Sequence, residues 1–497
     1  MQTLEAKKDL EAYFDSFRKN IVGYDLEFET PYGHKKLVYA DWTASGRLYR
    51  PIEKVISEDL GRFIGNTHTE TNVTGTSMTK AYHKAHSIIK NHVNASSEDV
   101  IITTDSGMTG VVNKFQRILG LKIPEKLAKN FHIAPHERPV VFVTHMEHHS
   151  NHTSWLETIA DVERILPDEN GLIDINHLEE LLIKYSDRDV KIASVTACSN
   201  VTGIHTDYHQ IAKTMHSYDG LCFVDFACSA PYAHIDMHPP KEEEGLDAIY
   251  FSPHKFLGGP GSTGVLIFHK SLYKNKVPDQ VGGGTVLWTN PWGEHSYFDD
   301  IEVREDGGTP AFLQTIKAAL SVKLKEKMGI ENIMNREHEI VDRVFKGFAN
   351  IPEINLLAGE NKNRLGVFSF YINSLHFNLA VKLLNDRFGI QTRGGCSCAG
   401  TYGHYLLSIP RHVSNSITNK IDEGQLEDKP GWIRMSIHPT TTNEEIDFLI
   451  DSIQEMVINH SEWSKEYTYD AKTNEFIHNQ AANEEESRVN EWFNSSI

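Results

Sequence analysis

The chain has 497 residues, of which 39% are hydrophobic and 24% are charged, a composition typical of globular proteins long enough for more than one domain. Its 49 Lys+Arg against 68 Asp+Glu give a net charge of -19, which argues against binding to a nucleic-acid backbone or an anionic membrane. No apolar run approaches the roughly 20 residues of a membrane span, and the first residues lack the apolar core of a secretory signal. We therefore expect a cytoplasmic, globular protein with no nucleic-acid and no membrane partner.

From about residue 99 the sequence alternates short β-branched runs with helical periodicity, which predicts a parallel α/β sheet. The predicted strands are 100–104, 140–144, 191–197, 221–227, 248–252 and 264–269. After about residue 310 the pattern changes to helices near 311–350, 377–388 and 443–458, with strands at 367–371 and 432–437, which predicts a smaller α+β domain. We expect the first 35 residues to be helical and to pack on that domain. The polar tail 459–497 is either a docked helix or partly disordered.

The strand that ends near residue 252 is followed by Ser252, His254 and Lys255 on a glycine-rich stretch. A partly desolvated lysine beside cationic groups is nucleophilic near neutral pH and can form a Schiff base with an aldehyde cofactor such as pyridoxal phosphate (PLP). Ser252 and His254 would then hold the cofactor phosphate. By itself the motif also fits a surface lysine on a loop.

Other polar residues also follow predicted strands, at the edge where open α/β sheets bind their ligands. Gly107-Met108-Thr109 opens a helix after a strand, where N–H groups and the helix dipole favour a phosphate, although such a turn also occurs for structural reasons. Asp225 could keep a pyridine nitrogen protonated or could cap a loop, and Asn200 offers an amide to a cofactor oxygen. Their common position at strand ends favours a cofactor site.

Four histidines lie within eight residues after the strand 140–144, namely His145, His148, His149 and His152. Such a run suggests a metal site, but no acidic third ligand at helical spacing is in view. An imidazole stacked on the cofactor ring explains one of them. We therefore expect no metal here.

The last cluster is Arg393-Gly-Gly-Cys396-Ser-Cys398, on a glycine-rich loop. An accessible thiol close to an arginine is expected to be nucleophilic. The alternatives are a buried free cysteine, a regulatory disulfide or half of a zinc site. A zinc site is disfavoured, because the sequence has no second pair of cysteines to complete it. The five cysteines are an odd set without disulfide-framework spacing, so at least one thiol should be free. Arg434, inside an apolar run, suggests a clamp for an α-carboxylate.

Together with Tyr39-Ala-Asp41-Trp-Thr-Ala-Ser45 and Asn66-Thr-His68, these motifs resemble the class V aminotransferase superfamily of fold-type I PLP enzymes, in particular its cysteine desulfurase and selenocysteine lyase branch. The resemblance covers about residues 36–458. It implies an α/β fold with a large domain, built on a mainly parallel seven-stranded sheet, and a smaller C-terminal α+β domain. The expected divisions are an N-terminal helical segment 1–35, a PLP-binding domain 36–310, a small domain 311–458 and a polar extension 459–497.

The resemblance also implies roles for individual residues. Lys255 would be the Schiff-base lysine, His148 the ring-stacking general acid/base, Asp225 the partner of the pyridine nitrogen, and Cys398 the sulfur-accepting nucleophile. The phosphate would be held by the Met108 N–H, Thr109, Ser252 and His254, and by Thr309 of Gly307-Gly308-Thr309-Pro310 from a partner subunit, which implies a homodimer. Substrate binding falls to Arg434, Arg393, Asn200 and His68. The chain departs from the family where Cys228 replaces a glutamine and where Cys396 adds a second thiol to the loop.

These roles predict a PLP-dependent cysteine desulfurase that converts L-cysteine to L-alanine and passes the sulfur to Cys398 as a persulfide, for delivery to a sulfur-acceptor protein. A PLP-dependent C–S lyase, a selenocysteine lyase, an epimerase or an aminotransferase on the same scaffold would need Lys255 but not Cys398. A sulfur-carrier or interaction protein that keeps only the fold is the alternative from a different class, and the intact set of Lys255, Asp225 and His148 argues against it.

Overall fold

The computed structural model describes residues 9–104, 107–480 and 484–495. Its centre is a seven-stranded sheet, in which all strands but one edge strand are apolar segments buried along nearly their whole length. The strands, in their order across the sheet, are Asp99–Thr104, Gly264–His269, Ala248–Phe251, Leu221–Asp225, Lys191–Thr196, Val140–Thr144 and Asp161–Ile165. The predicted α/β fold with a mainly parallel seven-stranded sheet is confirmed.

Two features of this sheet differ from the strands predicted from the sequence. Gly264–His269 runs antiparallel to both of its neighbours, because it follows the preceding strand through a loop and not through a crossover helix. The edge strand Asp161–Ile165 was not predicted, because its sequence Asp-Val-Glu-Arg-Ile is half polar and it is only partly buried. Neither feature alters the edge at which the parallel strands end.

Helices cover both faces of the sheet, as expected for strands that are buried on both sides. On one face the apolar core joins Ile101, Phe142 and Val224 to helices, and on the other it joins Val141, Phe223 and Phe268 to Phe115. The larger helices of this layer are Val73–His92, Met108–Ile118, His149–Leu156, Ile175–Lys184, Tyr208–His216 and Phe312–Met328. Shorter ones are Arg50–Lys54, Glu125–Ala128 and Ile301–Arg304, and the hairpin Val286–Thr289 with His295–Tyr297 lies outside the sheet.

A second, four-stranded antiparallel sheet has the order Asn355–Leu356, Val367–Tyr371, Trp432–Ser436, Arg393–Gly395. The helices Ile330–Phe348, Phe377–Phe388 and Asn443–Trp463 pack on it around Phe368, Ile433 and Leu383. Two shorter helices, Gly400–Leu406 and Arg411–Asp422, lie between its last two strands in the chain. In the register of this sheet Arg393 is directly opposite Arg434. The second sheet therefore brings two guanidinium groups to one place.

The two ends of the chain differ from the secondary structure predicted for them. Helix Leu10–Arg18 packs through Phe14 and Phe17, and the chain then forms short strands at Glu27–Phe28 and Lys35–Lys36, because Pro31 and Gly33 favour a turn. In the tail, Tyr467–Asp470 pairs with Glu475–His478 as a hairpin before the exposed helix Glu484–Asn494. In the described parts of the chain no helix combines the length and apolar character that crossing a bilayer requires. The predicted domain boundaries stay a prediction.

Candidate active site

A cavity of about 450 Å³ lies at the edge where the parallel strands end. Both sheets contribute to its wall, so residues far apart in sequence face one space. Of the residues predicted to form a site, all but two line it, namely Met108, Thr109, His148, Asn200, Asp225, Ser252, His254, Lys255, Arg393, Cys398 and Arg434. The cavity is therefore a polar site assembled from several strand ends, as ligand sites in open α/β sheets are.

Lys255 closes a single helical turn, Pro253–Lys255, directly after the strand Ala248–Phe251. Gly259 lets the following loop fold back, because a Cβ at that position would lie 1.8 Å from the carbonyl oxygen of Pro253. None of the described residues forms a hydrogen bond with the Lys255 ammonium, and burial lowers its pKa. An unpartnered lysine with a lowered pKa at a cavity wall is suited to act as an amine nucleophile.

Asp225 ends the neighbouring strand Leu221–Asp225. One of its carboxylate oxygens accepts a hydrogen bond from the Ala227 N–H at 2.8 Å. Burial raises the pKa of Asp225 to about 6, against the lowering effects of this hydrogen bond and of the Lys255 charge. A buried carboxyl group of this kind gains from a cationic partner, such as a protonated ring nitrogen, inside the cavity.

His148 precedes the helix His149–Leu156, and its Nδ1 accepts a hydrogen bond from the Ser150 N–H at 3.1 Å. This acceptor role leaves the proton of the neutral ring on Nε2. Burial lowers the pKa of His148 to about 3, and the charge on Lys255 lowers it further. The ring at the cavity wall is therefore a neutral imidazole that can donate from Nε2.

One end of the cavity is built to receive an anion. The helix Met108–Ile118 begins there without a side-chain cap, and the Met108 N–H donates to Ser252 Oγ at 2.8 Å. Thr109 Oγ1 lies 2.6 Å from Ser150 Oγ, and His254 adds an imidazole. Gly107 has φ of 139°, and a Cβ there would lie 3.2 Å from Ser252 Oγ. A helix start, three hydroxyl groups, an imidazole and a close glycine turn together form an anion cradle that could hold a phosphate.

The opposite wall carries the two arginines of the second sheet. Arg434 is 3% exposed; it donates through Nη2 to Asp41 Oδ1 at 2.8 Å and through Nη1 to the Asn200 carbonyl oxygen at 3.1 Å. Its buried Nε has no hydrogen-bond partner in the described structure. Arg393 donates from Nε to the second oxygen of Asp41 at 3.0 Å. A buried guanidinium with an unused N–H can bind a further carboxylate.

Cys398 lies on the loop between the strand Arg393–Gly395 and the helix Gly400–Leu406. It is exposed and lines the cavity, whereas Cys396 is half-buried against the cluster around Trp432. Ser397 and Cys398 both have positive φ, 51° and 55°. The Asn200 side-chain amide donates to the Ser397 carbonyl oxygen at 2.7 Å, so this unusual backbone is held by the cavity wall itself.

The structure places His68 and Thr309 outside this cavity. Both are exposed, and they are neighbours, because His68 Nε2 lies 3.2 Å from the carbonyl oxygen of Gly308. Within one chain, neither residue is positioned to touch a ligand in the cavity.

Sequence reasoning missed several residues of the site. The sequence indicates Asp41 only as part of a motif, and it predicts no role in the site for Ser150 or Cys198. Cys228, recognised as a departure from the family, lines the cavity beside Cys198. Burial raises the pKa of Cys198 well above its usual value, which argues for an inert thiol there. No signal in the sequence pairs Asp41 with Arg434, since 393 residues separate them.

The cavity fits pyridoxal phosphate. An unpartnered lysine, a buried carboxyl group and an anion cradle each match one part of that molecule, namely its aldehyde, its ring nitrogen and its phosphate. Among the described residues, no cluster of three or more His, Cys, Asp or Glu side chains could hold a metal ion.

Comparisons with known proteins identify the family of the chain. The probable cysteine desulfurase of Methanothermobacter thermautotrophicus is 25% identical over 84% of this chain and 94% of its own length. That of Halalkalibacterium halodurans is 27% identical over 73% of this chain and 84% of its own length. Among solved structures, the apo cysteine desulfurase from Thermococcus onnurineus shares the fold, with a TM-score of 0.71, 21% identity and coverage of 89% of this chain and 98% of that one. The family model of class-V aminotransferases matches residues 38–449, and the chain belongs to this PLP-dependent family.

Proposed function

We propose that the protein is a PLP-dependent cysteine desulfurase, which converts L-cysteine to L-alanine and keeps the sulfur on Cys398 as a persulfide. One observation carries this proposal: the exposed thiol of Cys398 lines the same cavity as Lys255 and Arg434. A lyase, an epimerase or an aminotransferase needs the lysine and the arginine, but it has no use for a thiol at this place. The probable cysteine desulfurases among its relatives support the same reading.

The residues that would hold the cofactor all line the cavity. Lys255 would bind its aldehyde carbon, Asp225 would pair with its ring nitrogen, and His148 would stack on the ring. Asn200 would lie near the ring hydroxyl, and the Met108 N–H, Thr109, Ser252 and His254 would hold the phosphate. When bound, the cofactor supplies an electron sink that stabilises negative charge on substrate carbons.

Substrate binding falls to the opposite wall. Arg434 has an unused Nε and Arg393 is half exposed, so the two would bind the α-carboxylate of cysteine while Asp41 keeps both guanidinium groups in place. A cysteine bound in this way would share the cavity with the loop that carries Cys398, since Arg393, Arg434 and Cys398 all line it. The neutral His148, with its proton on Nε2, would move a proton at the substrate end of the cavity.

In the sulfur step, Cys398 would take the sulfur atom from the substrate. The Cys398 thiolate attacks the sulfur of cysteine, an S–S bond forms, and the carbon–sulfur bond breaks with its electron pair left on Cβ. Protonation of that carbon gives alanine, and the sulfur stays on Cys398 as a persulfide. A thiol of a sulfur-acceptor protein, or a small thiol, would then accept it. The exposure of Cys398 supports such a transfer.

We further propose that the active form is a homodimer in the cytoplasm. Thr309 and His68 lie together on the surface, outside the cavity, so Thr309 would reach the cofactor phosphate and His68 the substrate in a partner subunit. All five cysteines are free, which suits a reducing compartment.

Product analysis tests the proposed reaction. The PLP-loaded protein, incubated with L-cysteine and a thiol reductant, should release alanine and sulfide in equal amounts, whereas a Lys255→Ala variant should release neither. Pyruvate and ammonia in place of alanine would identify a lyase and overturn the proposal.

A further inference from the structure

We propose that His149 and His152 are positioning residues that hold the Cys398 loop against the cavity. This inference rests on the proposed function, because it concerns the thiol that would accept the sulfur. It also gives a role to the run of four histidines, of which the cavity itself uses only His148.

The first contact is a pair of hydrogen bonds around Cys398. The His149 N–H donates to the Cys398 carbonyl oxygen at 2.8 Å, and His149 Nε2 accepts from the Gly400 N–H at 3.0 Å. His149 therefore forms hydrogen bonds with the backbone on both sides of Ala399. The second bond also satisfies an N–H at the start of the helix Gly400–Leu406, which has no side-chain cap of its own.

Two further histidines hold the next residues of the chain. His152 Nδ1 lies 3.3 Å from Thr401 Oγ1, one helical turn after His148. His145 presents its ring at T-shaped angles to Tyr402 and Tyr405, with centroids 5.5 Å and 5.4 Å apart. The side chains that follow Cys398 thus rest on successive histidines of a single segment.

The protonation state of these rings suits the arrangement. Burial lowers the pKa of both His149 and His152, so both are neutral and keep one ring nitrogen free to accept. A protonated ring would donate from both nitrogens and could not accept the Gly400 N–H. The groups whose charges further lower these pKa values are Lys429, for His149, and Arg164 and His149, for His152.

This attachment has a consequence for catalysis. His148 precedes the helix His149–Leu156, so the loop with the thiol and the imidazole at the cavity wall are fixed to the same few residues. Ser397 and Cys398 have positive φ angles, which non-glycine residues rarely adopt without support. Without the histidine contacts the loop would leave this conformation, and the thiol would reach the substrate sulfur less often, although the lysine and arginines would still bind cysteine.

Hydrogen exchange and steady-state kinetics test the proposal on the full-length, PLP-loaded protein. We compare His149→Ala with His149→Gln, whose side-chain oxygen can still accept the Gly400 N–H, and use the exposed His136→Ala as the matched control. Loss of one hydrogen bond should speed amide exchange in the peptide 396–402 about fivefold to tenfold, with no change in the core strand Val367–Tyr371. The Gln variant should restore protection.

In kinetics, His149→Ala should lower kcat for alanine formation about tenfold or more, with KM for cysteine within about twofold of the wild type. His152→Ala should show the same pattern more weakly. Unchanged exchange in the Ala variant, or faster exchange with unchanged kcat, would overturn the inference. Hydrogen exchange needs no substrate, so it separates this result from the proposed function, which fails independently if a Cys398→Ser variant still forms alanine and sulfide.

Discussion

Asp41 accepts a hydrogen bond from Arg434 at 2.8 Å, at a point where the second sheet sets Arg434 directly opposite Arg393. Two like charges opposite each other on neighbouring strands repel, and Asp41 offsets this by binding one arginine with each carboxylate oxygen. Asp41 reaches them because the chain there pairs alongside Ser436 and Ile390–Gln391. A residue near the start of the chain therefore offsets part of the positive charge on this wall and leaves a net positive charge for the substrate carboxylate.

Asp41→Ala should destabilise the protein by about 3–5 kcal/mol, because it leaves the buried guanidinium of Arg434 without its anion. Urea unfolding followed by circular dichroism measures the loss. The surface pair Arg343–Asp447 provides the control, since both of its side chains are more than a third exposed. Asp447→Ala should change stability by at most about 1 kcal/mol. Equal losses in the two variants would show that Asp41 has no special role.

The two loop thiols should behave differently, although only Ser397 separates them. Cys398 is exposed and lines the cavity, whereas Cys396 packs beside Trp432 and is not among the described residues that line the cavity. Cys398→Ser should therefore abolish persulfide and sulfide formation but leave cysteine binding intact, and Cys396→Ser should keep most of the activity. Mass spectrometry of cysteine-treated protein should show a gain of one sulfur atom on Cys398. A gain on Cys396 would exchange their roles.

Gly107→Ala should weaken cofactor binding. Gly107 has φ of 139°, which side chains rarely allow, and the added Cβ would lie 3.2 Å from Ser252 Oγ inside the anion cradle. Strain of about 1–3 kcal/mol should lower PLP affinity by a factor of about 5 to 150. Fluorescence titration of the apo-protein with PLP measures this. Gly33→Ala, also at positive φ but with open space around it, should leave the affinity unchanged; a similar loss there would refute the steric explanation.

Much of this arrangement could be predicted from the sequence, because strand ends are local features. Polar residues after buried strands, such as Lys255 and Asp225, had to meet at one edge of a parallel sheet. The direction of Gly264–His269 could not be predicted in the same way, since periodicity reports burial and not direction. The edge strand Asp161–Ile165 was not predicted, because a strand at the edge of a sheet buries little apolar surface and so has a weak apolar signal in the sequence.

Contacts between segments that are distant in the chain could not be predicted from the sequence. No sequence feature near Asp41 indicates that it binds Arg434. No feature of the histidine run indicates that His149 accepts a hydrogen bond from the Gly400 N–H. The first contact depends on the pairing of the segment around Asp41 with Ser436 in the second sheet and with Ile390–Gln391. The second depends on how the loop after the strand Arg393–Gly395 packs on the helix His149–Leu156. His68 and Thr309 illustrate the reverse case: the resemblance supplies their roles, and one chain alone leaves them outside the cavity.

Asp225→Asn should change how the stability of the apo-protein depends on pH. Burial raises the pKa of Asp225 from 3.8 to about 6, so the folded state holds its proton more tightly than the unfolded chain. The stability contributed by this carboxyl group is fully present below about pH 3.8 and is lost as the pH rises through about 6. Ionising it at pH 8 then costs on the order of 3 kcal/mol in the apo-protein.

The variant carries no such penalty, because an asparagine oxygen can still accept from the Ala227 N–H and does not ionise. Thermal unfolding of the apo-proteins should therefore show Asp225→Asn to be more stable than the wild type at pH 8, with the difference vanishing near pH 4. Adding PLP should reverse the order at pH 8, since a protonated ring nitrogen would pair with the carboxylate of the wild type only. Parallel stability curves for the two apo-proteins across this range would mean that Asp225 titrates normally, and an equal gain on adding PLP would mean that another group meets the ring nitrogen.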